Sequence, residues 1–136
     1  MTSKTTIQLP RTLVNQLLHQ AQLSPGQEVC GLVGRENDLC DCYPVENVAT
    51  DASVLFALNA SEQLAAFKDM HAKGQQLFAI YHSHPQSPAM PSVTDIEEAN
   101  YPDALYLIIS LNTRGVLEMR GFYLKNKQIE EVELII

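Results

Sequence analysis

Apolar residues recur along this chain with two different periods, and the changes of period mark its elements. Ile7-Gln8-Leu9 reads as the end of a short first strand. Leu13, Val14, Leu17, Leu18 and Ala21 then fall on one stripe at helical spacing. Pro10 suits the first turn of that helix, where a missing N–H costs little, and Ser24-Pro25-Gly26 ends it. The run Glu28-Val29-Cys30-Gly31-Leu32-Val33-Gly34 predicts a strand with an acidic residue at its head. Leu39 to Val48 predicts its hairpin partner, joined through the polar turn Arg35-Glu36-Asn37-Asp38. Pro44 inside this second run argues for an edge position or a bulge.

Val54-Leu55-Phe56-Ala57-Leu58 predicts a further short strand, connected through Asp51-Ala52-Ser53. Asn59 followed by Glu62 is a helix-start signal. Leu64, Phe67, Met70 and His71 are expected along one side of that helix, and Gly74 ends it. His71 sits in its last turn, where an imidazole helps cap the carbonyl end. Leu77 to His84 predicts a strand, and Ser92 to about Asn100 a short helix closed by Tyr101-Pro102. Ala104 to Ser110 is almost wholly apolar, as a strand covered on both faces would be. Asn112 to Gly115 would turn it into Val116 to Leu124, and Lys125-Asn126-Lys127 would lead into a last strand, Ile129 to Ile136. The pattern predicts an α+β domain over residues 1–136, with a mixed, largely antiparallel sheet flanked by two or three helices.

Composition narrows the function classes. The chain has 136 residues, 46% of them apolar and 18% charged, which is the range of a globular domain with its own core. A formal net charge of −7 with no Lys/Arg run disfavours a nucleic-acid binder. No export signal or membrane-length apolar run is visible, so a soluble, cytoplasmic protein is expected. Three cysteines do not make a closed disulfide framework. Cys40 and Cys42 have no common zinc spacing and no downstream partners, so free, buried or half-buried thiols are expected. Cys30, among apolar neighbours, is expected in the core.

The chemistry concentrates between His82 and Asp95. In a strand, residues i and i+2 share a face, so His82 and His84 would project side by side while Ser83 faces away. A carboxylate returning nearby would complete a facial set for one metal ion. Each part also has an ordinary structural reading. A pair of histidines on a strand can be merely hydrogen-bonded, Ser92-Val93-Thr94-Asp95 is a capping-box pattern, and Glu28 could be a solvated strand-end carboxylate.

Taken together, Glu28 upstream and the pattern H-S-H-x7-S-x2-D closely resemble the JAMM (MPN+) metalloprotease family. Glu28-Val29-Cys30-Gly31-Leu32-Val33-Gly34, Tyr81-His82-Ser83-His84-Pro85 and Tyr101-Pro102-Asp103-Ala104 look like its compact bacterial members. The resemblance spans nearly the whole chain and implies a cytidine-deaminase-like architecture. It further implies one catalytic Zn2+ held by His82, His84 and Asp95, with water in the fourth place. Glu28 would be general base and then acid, and Ser92 would hydrogen-bond the developing oxyanion. Pro85, Pro88 and Pro91 would stiffen the connection between the ligand-bearing elements.

The implied reaction is hydrolysis of a peptide or isopeptide bond after the Gly-Gly tail of a ubiquitin-like protein, here a bacterial sulfur carrier. The implied alternatives are a non-catalytic MPN scaffold that only binds partners, and a peptidoglycan or phage-tail peptidase of the same fold. A DNA-repair relative is disfavoured by the acidic charge.

Overall fold

The structure is a computed structural model that describes residues 5–112 and 117–136. Ten elements follow in the order β1 (Thr6–Gln8), α1 (Arg11–Leu23), β2 (Cys30–Glu36), β3 (Leu39–Val45), α2 (Ala60–Ala72), β4 (Gln76–His84), α3 (Val93–Glu98), β5 (Leu105–Ser110), β6 (Glu118–Lys125) and β7 (Gln128–Ile135). The strands form one mixed sheet in the order β1-β7-β6-β5-β4-β2-β3. Two of its pairings, β1 with β7 and β4 with β5, are parallel, and the other four are antiparallel. The expected α+β class with a largely antiparallel mixed sheet and three helices is what forms. β3 lies at the edge, which accommodates Pro44.

The two faces of the sheet carry separate apolar layers. Leu13, Val14, Leu17 and Ala21 of α1 pack on Val33, Ala79, Tyr81, Leu107 and Ile109. Each fully buried leucine there contributes about 2 kcal/mol. On the opposite face, Ala66 and Met70 of α2 pack with Leu32, Ile80, Tyr106, Ile108 and Phe122. Leu105 to Ser110 is buried at every position, because β5 is the central strand and both layers cover it. Alternation along β4 therefore sends Ala79 and Tyr81 to the α1 face, and Ile80 with both histidines to the α2 face. Tyr81 reaches back over β2 at Gly31, where any Cβ would collide with its hydroxyl.

Several elements depart from expectation. Residues 54–58 form no strand; a turn covers 51–54, and only an isolated bridge, Asn47 to Leu58, touches the segment. The Leu55 carbonyl and the Ala57 N–H are taken instead by the Asn47 side chain, which no local pattern reveals. Leu64 does not face inward but is 55% exposed. The inward stripe of α2 is Gln63, Ala66, Phe67 and Met70, one position round the helix. β2 begins at Cys30 rather than Glu28, and β3 ends at Val45 rather than Val48. Helix α3 is shorter than expected, ending at Glu98. Pro10 is the N-cap of α1 rather than part of its first turn. The turn expected at Asn112 to Gly115 and the first residue of the strand after it lie largely outside the described residues.

Asn37, Asn126 and Lys127 adopt positive φ, as the two hairpin turns require. The cysteines are free, with Cys30 buried and Cys40 and Cys42 half-buried. Among the described residues no helix is long and apolar enough to cross a membrane.

Candidate metal centre and active site

The end of β4 delivers His82 and His84, and α3 delivers the carboxylate that meets them. Their donor atoms form a small triangle. His82 Nε2 lies 3.1 Å from His84 Nε2 and 3.0 Å from Asp95 Oδ2, and His84 Nε2 lies 3.2 Å from the same Oδ2. Tetrahedral zinc with bonds of about 2.0–2.1 Å has ligand edges of roughly 3.3 Å. Three donors of the right chemistry, buried and already converged to nearly that spacing, fit a zinc ion capping the triangle.

Local structure explains how Asp95 arrives. Ser92 is the N-cap of α3, and its hydroxyl accepts from the Asp95 N–H at 3.0 Å. Asp95 Oδ2 accepts in return from the Ser92 N–H at 2.9 Å. The ordinary capping box thus exists, and the same carboxylate oxygen serves both the cap and the histidines. The connecting loop is tied down by Ala89, which is fully buried, and by the Ser110 hydroxyl, which donates to the Ser87 carbonyl at 2.7 Å.

Tautomers follow from the partners. His84 Nδ1 lies 2.8 Å from the Pro88 carbonyl, which can only accept, so Nδ1 carries a proton; Nε2 donates to Asp95 while the ring is protonated and presents a lone pair once it is neutral. His82 differs: its Nδ1 is buried and has no partner among the described residues. Such an orphaned group costs about 1–3 kcal/mol. The His82 ring instead stacks on Phe56, with centroids 4.2 Å apart and planes 20° from parallel.

Glu28 stands across from this triangle. One of its carboxylate oxygens lies within 4.8 Å of a nitrogen from each histidine, and it hydrogen-bonds to neither, whereas Asp95 bonds to both. Its Oε1 is buried without a partner. Burial pushes its pKa up to about 7, partly offset by His84 and reinforced by Asp95. Asp95 goes the other way. Burial would raise it, but the hydrogen bonds from His82 and His84 hold it well below the usual carboxylate range. Burial likewise lowers His82, while in His84 the bonds to Asp95 and Pro88 outweigh burial and raise it.

Glu28 sits just before β2, yet its backbone is held firmly. Its N–H donates to the Ala52 carbonyl at 2.7 Å, and its carbonyl accepts from the Asn47 amide at 2.9 Å. Its neighbour Val29 exchanges two bonds with Ser83, the residue between the histidines. The Val29 N–H donates to the Ser83 hydroxyl at 2.9 Å, and the Ser83 N–H donates to the Val29 carbonyl at 3.0 Å. Cys30, directly opposite His82 in the β2–β4 register, is buried as expected, but on the face that carries the histidines. Its thiol donates to the Val45 carbonyl at 3.4 Å, and burial pushes its pKa up to about 12. Beside the centre opens a cavity of ≈ 280 Å³ lined by Phe56, Leu58, Gln63, Ile80, Asp95 and Tyr101 among others.

All five residues singled out in the sequence, Glu28, His82, His84, Ser92 and Asp95, therefore meet at one end of the sheet. Asn47, Phe56 and Ser110 carried no sequence signal, since each acts through contacts distant in the chain. Ser83 was legible only as the residue facing away from its neighbours.

Comparison with known proteins gives the family and the fold. The family described as prokaryotic homologs of the JAB domain matches residues 10–122. A desampylase of Haloferax volcanii is 36% identical over 66% of this chain and 67% of its own length. A probable TtuB-protein conjugate cleaving protease of Thermus thermophilus is 32% identical over 94% of this chain and 81% of its own. A CysO-cysteine peptidase of Mycobacterium bovis is 30% identical over 88% and 83%. Among solved structures, a protein of Desulfitobacterium hafniense superposes with a TM-score of 0.82 at 33% identity, covering 94% of this chain and 90% of that one. A JAB1/MPN domain protein of Archaeoglobus fulgidus shares the fold, with a TM-score of 0.56 at 17% identity over 98% and 100%. The chain belongs to the compact prokaryotic JAB-domain family and is a hydrolase of the JAMM peptidase type.

Proposed function

We propose that this protein is a zinc-dependent peptidase that hydrolyses the bond following the Gly-Gly tail of a ubiquitin-like sulfur-carrier protein. Residues 1–136 would work as one domain. The observation that carries the reading is the triangle of His82, His84 and Asp95 donors at 3.0–3.2 Å with the unpartnered carboxylate of Glu28 across from it. The substrate reading is supported by the names of the relatives, which describe cleavage of a TtuB–protein conjugate, a CysO–cysteine peptidase and desampylation.

In this reading His82, His84 and Asp95 hold the metal through Nε2, Nε2 and a carboxylate oxygen. When bound, zinc supplies an electrophile that polarises the scissile carbonyl and acidifies a water molecule. Glu28 accepts the proton of the attacking water, for which a carboxylate poised near neutrality is suited. It returns that proton to the departing amine as the C–N bond breaks and the new C–O bond is completed. The Ser92 hydroxyl accepts from the Asp95 N–H, so its own hydrogen remains to donate to the oxyanion.

Mass spectrometry of a carrier protein extended past Gly-Gly, incubated with the purified protein, tests this. Cleavage after the second glycine is expected, abolished by chelator and restored by zinc. Glu28→Gln should bind zinc and leave the carrier intact. Normal cleavage by that variant, or by the chelated protein, would sink the proposal.

A further inference from the structure

We propose that Phe56 and Asn47 form a positioning device for the metal centre, with Phe56 taking over the orienting role that a hydrogen-bond acceptor plays for most metal-bound histidines. The inference rests on the reading of His82, His84 and Asp95 as a ligand set. A ligating imidazole ordinarily donates its second N–H to an acceptor, which sets both tautomer and ring plane. His84 obeys this rule through Pro88. His82 does not, because its Nδ1 is buried and unpartnered. Rotation about the Cβ–Cγ bond of histidine is a broad torsion, so nothing intrinsic to the side chain fixes where the Nε2 lone pair points. Among the described residues, the ring that lies flat against His82 is Phe56, at 4.2 Å and 20°. His84 meets the same ring edge-on, at 62°, and so limits its tilt from another direction.

Phe56 can serve this purpose only if its own backbone is fixed, and it lies in a segment without regular structure. Asn47 supplies the fixation. Its Nδ2 donates at 2.9 Å to the carbonyl of Leu55, and its Oδ1 accepts at 3.0 Å from the N–H of Ala57, so it brackets Phe56 on both sides. The second Nδ2 hydrogen goes to the Glu28 carbonyl at 2.9 Å, and the second Oδ1 lone pair to the Ala49 N–H at 3.0 Å. All four hydrogen-bonding positions of the amide are used. One side chain thus ties the backbone of the candidate base to the segment that holds the candidate ligand. Phe56 also lines the cavity beside the centre, so a substrate seated there would meet the same residue.

Metal affinity and the absorption spectrum of the Co2+-substituted protein test this without reference to activity. Phe56→Leu keeps apolar bulk at a half-buried site but removes the flat surface. It should fold, bind zinc roughly 10–100-fold more weakly in chelator competition, and shift the Co2+ ligand-field bands. Phe56→Tyr should restore both, and Asn47→Asp, which turns two donors into acceptors facing carbonyls, should weaken binding in the same sense. Wild-type affinity and spectrum in folded Phe56→Leu, while His82→Ala loses metal, would overturn the positioning role alone. Wild-type affinity in His82→Ala as well would overturn the ligand set on which it rests.

Discussion

His84 and Pro88 are joined at 2.8 Å through a ring nitrogen and a carbonyl oxygen, and that contact fixes the tautomer of the imidazole. In the neutral ring the proton stays on Nδ1, and the Nε2 lone pair is on the side of His82 and Asp95. The proline-bearing loop is therefore more than a connector, because its backbone carbonyl orients a ring proposed as a ligand. Metal content is the first quantity that should report this. His84→Ala and Asp95→Ala are expected to lose most of the zinc from a protein that otherwise holds about one ion per chain. Glu28→Gln is expected to keep it, as judged by elemental analysis after dialysis. Unchanged zinc in the first two variants would remove them from the ligand set.

The Ser92 hydroxyl caps α3, and in the proposed mechanism it also donates to the oxyanion; substitutions can separate the two roles. Ser92→Ala removes the N-cap acceptor and should cost about 0.5–2 kcal/mol, whereas Ser92→Gly should cost only a few tenths. Both remove the oxyanion donor, for which a loss of about 10²–10³ in kcat is expected. Thermal unfolding alongside single-turnover cleavage checks this. Activity that followed stability, with Ser92→Gly nearly wild type, would reduce Ser92 to a cap.

Glu28 makes the metal-free protein pH-sensitive in a definite direction. Its folded pKa, near 7, lies above its ordinary value of 4.5, so the unfolded chain ionises it first. Stability from this group is complete below about pH 4.5 and is lost as pH rises through 7. Glu28→Gln should accordingly stabilise the metal-free protein at pH 8 by roughly 3 kcal/mol and change little at pH 4. Urea unfolding at both values, in the presence of chelator, would show it. A destabilised variant at pH 8 would mean that the carboxylate is better solvated than its burial implies.

Helix α2 offers a test of packing. Met70 is 2% exposed and Leu64 55% exposed, although both are large and apolar. Met70→Ala is expected to cost about 2–5 kcal/mol, and Leu64→Ser to stay within about 0.5 kcal/mol. Denaturant midpoints of the two variants would separate these positions. Equal losses would put Leu64 on the buried side after all.

Much of the fold and the candidate site was legible because it is written in local periods and spacings. The α1 stripe, the all-apolar β5 and the H-x-H pair at the end of β4 each follow from how side chains project from a helix or strand. The capping box of Ser92 and Asp95 is equally local, since the N-cap and third residue of any helix lie side by side. Elements whose hydrogen bonds go to distant side chains were not legible. Residues 54–58 look like a strand by composition, but the Leu55 carbonyl and Ala57 N–H bond to the side chain of Asn47, eight to ten residues away in the chain. The face of α2 was misjudged by one position because the helix turns toward the sheet it meets, and that sheet is assembled from strands far apart in sequence.

By itself, then, the sequence determined the order of elements apart from the strand expected at 54–58, the residues that could bind a metal and the carboxylate that could serve it. Only the tertiary structure decided that Glu28 and His82, more than fifty residues apart, share one buried pocket. It also decided that Asp95 Oδ2 closes a triangle of about 3 Å and that Phe56 lies flat on His82. These relationships arise where β2 and β4 pair in one register and not another. A register is chosen by the packing of whole faces, which no short stretch of residues contains.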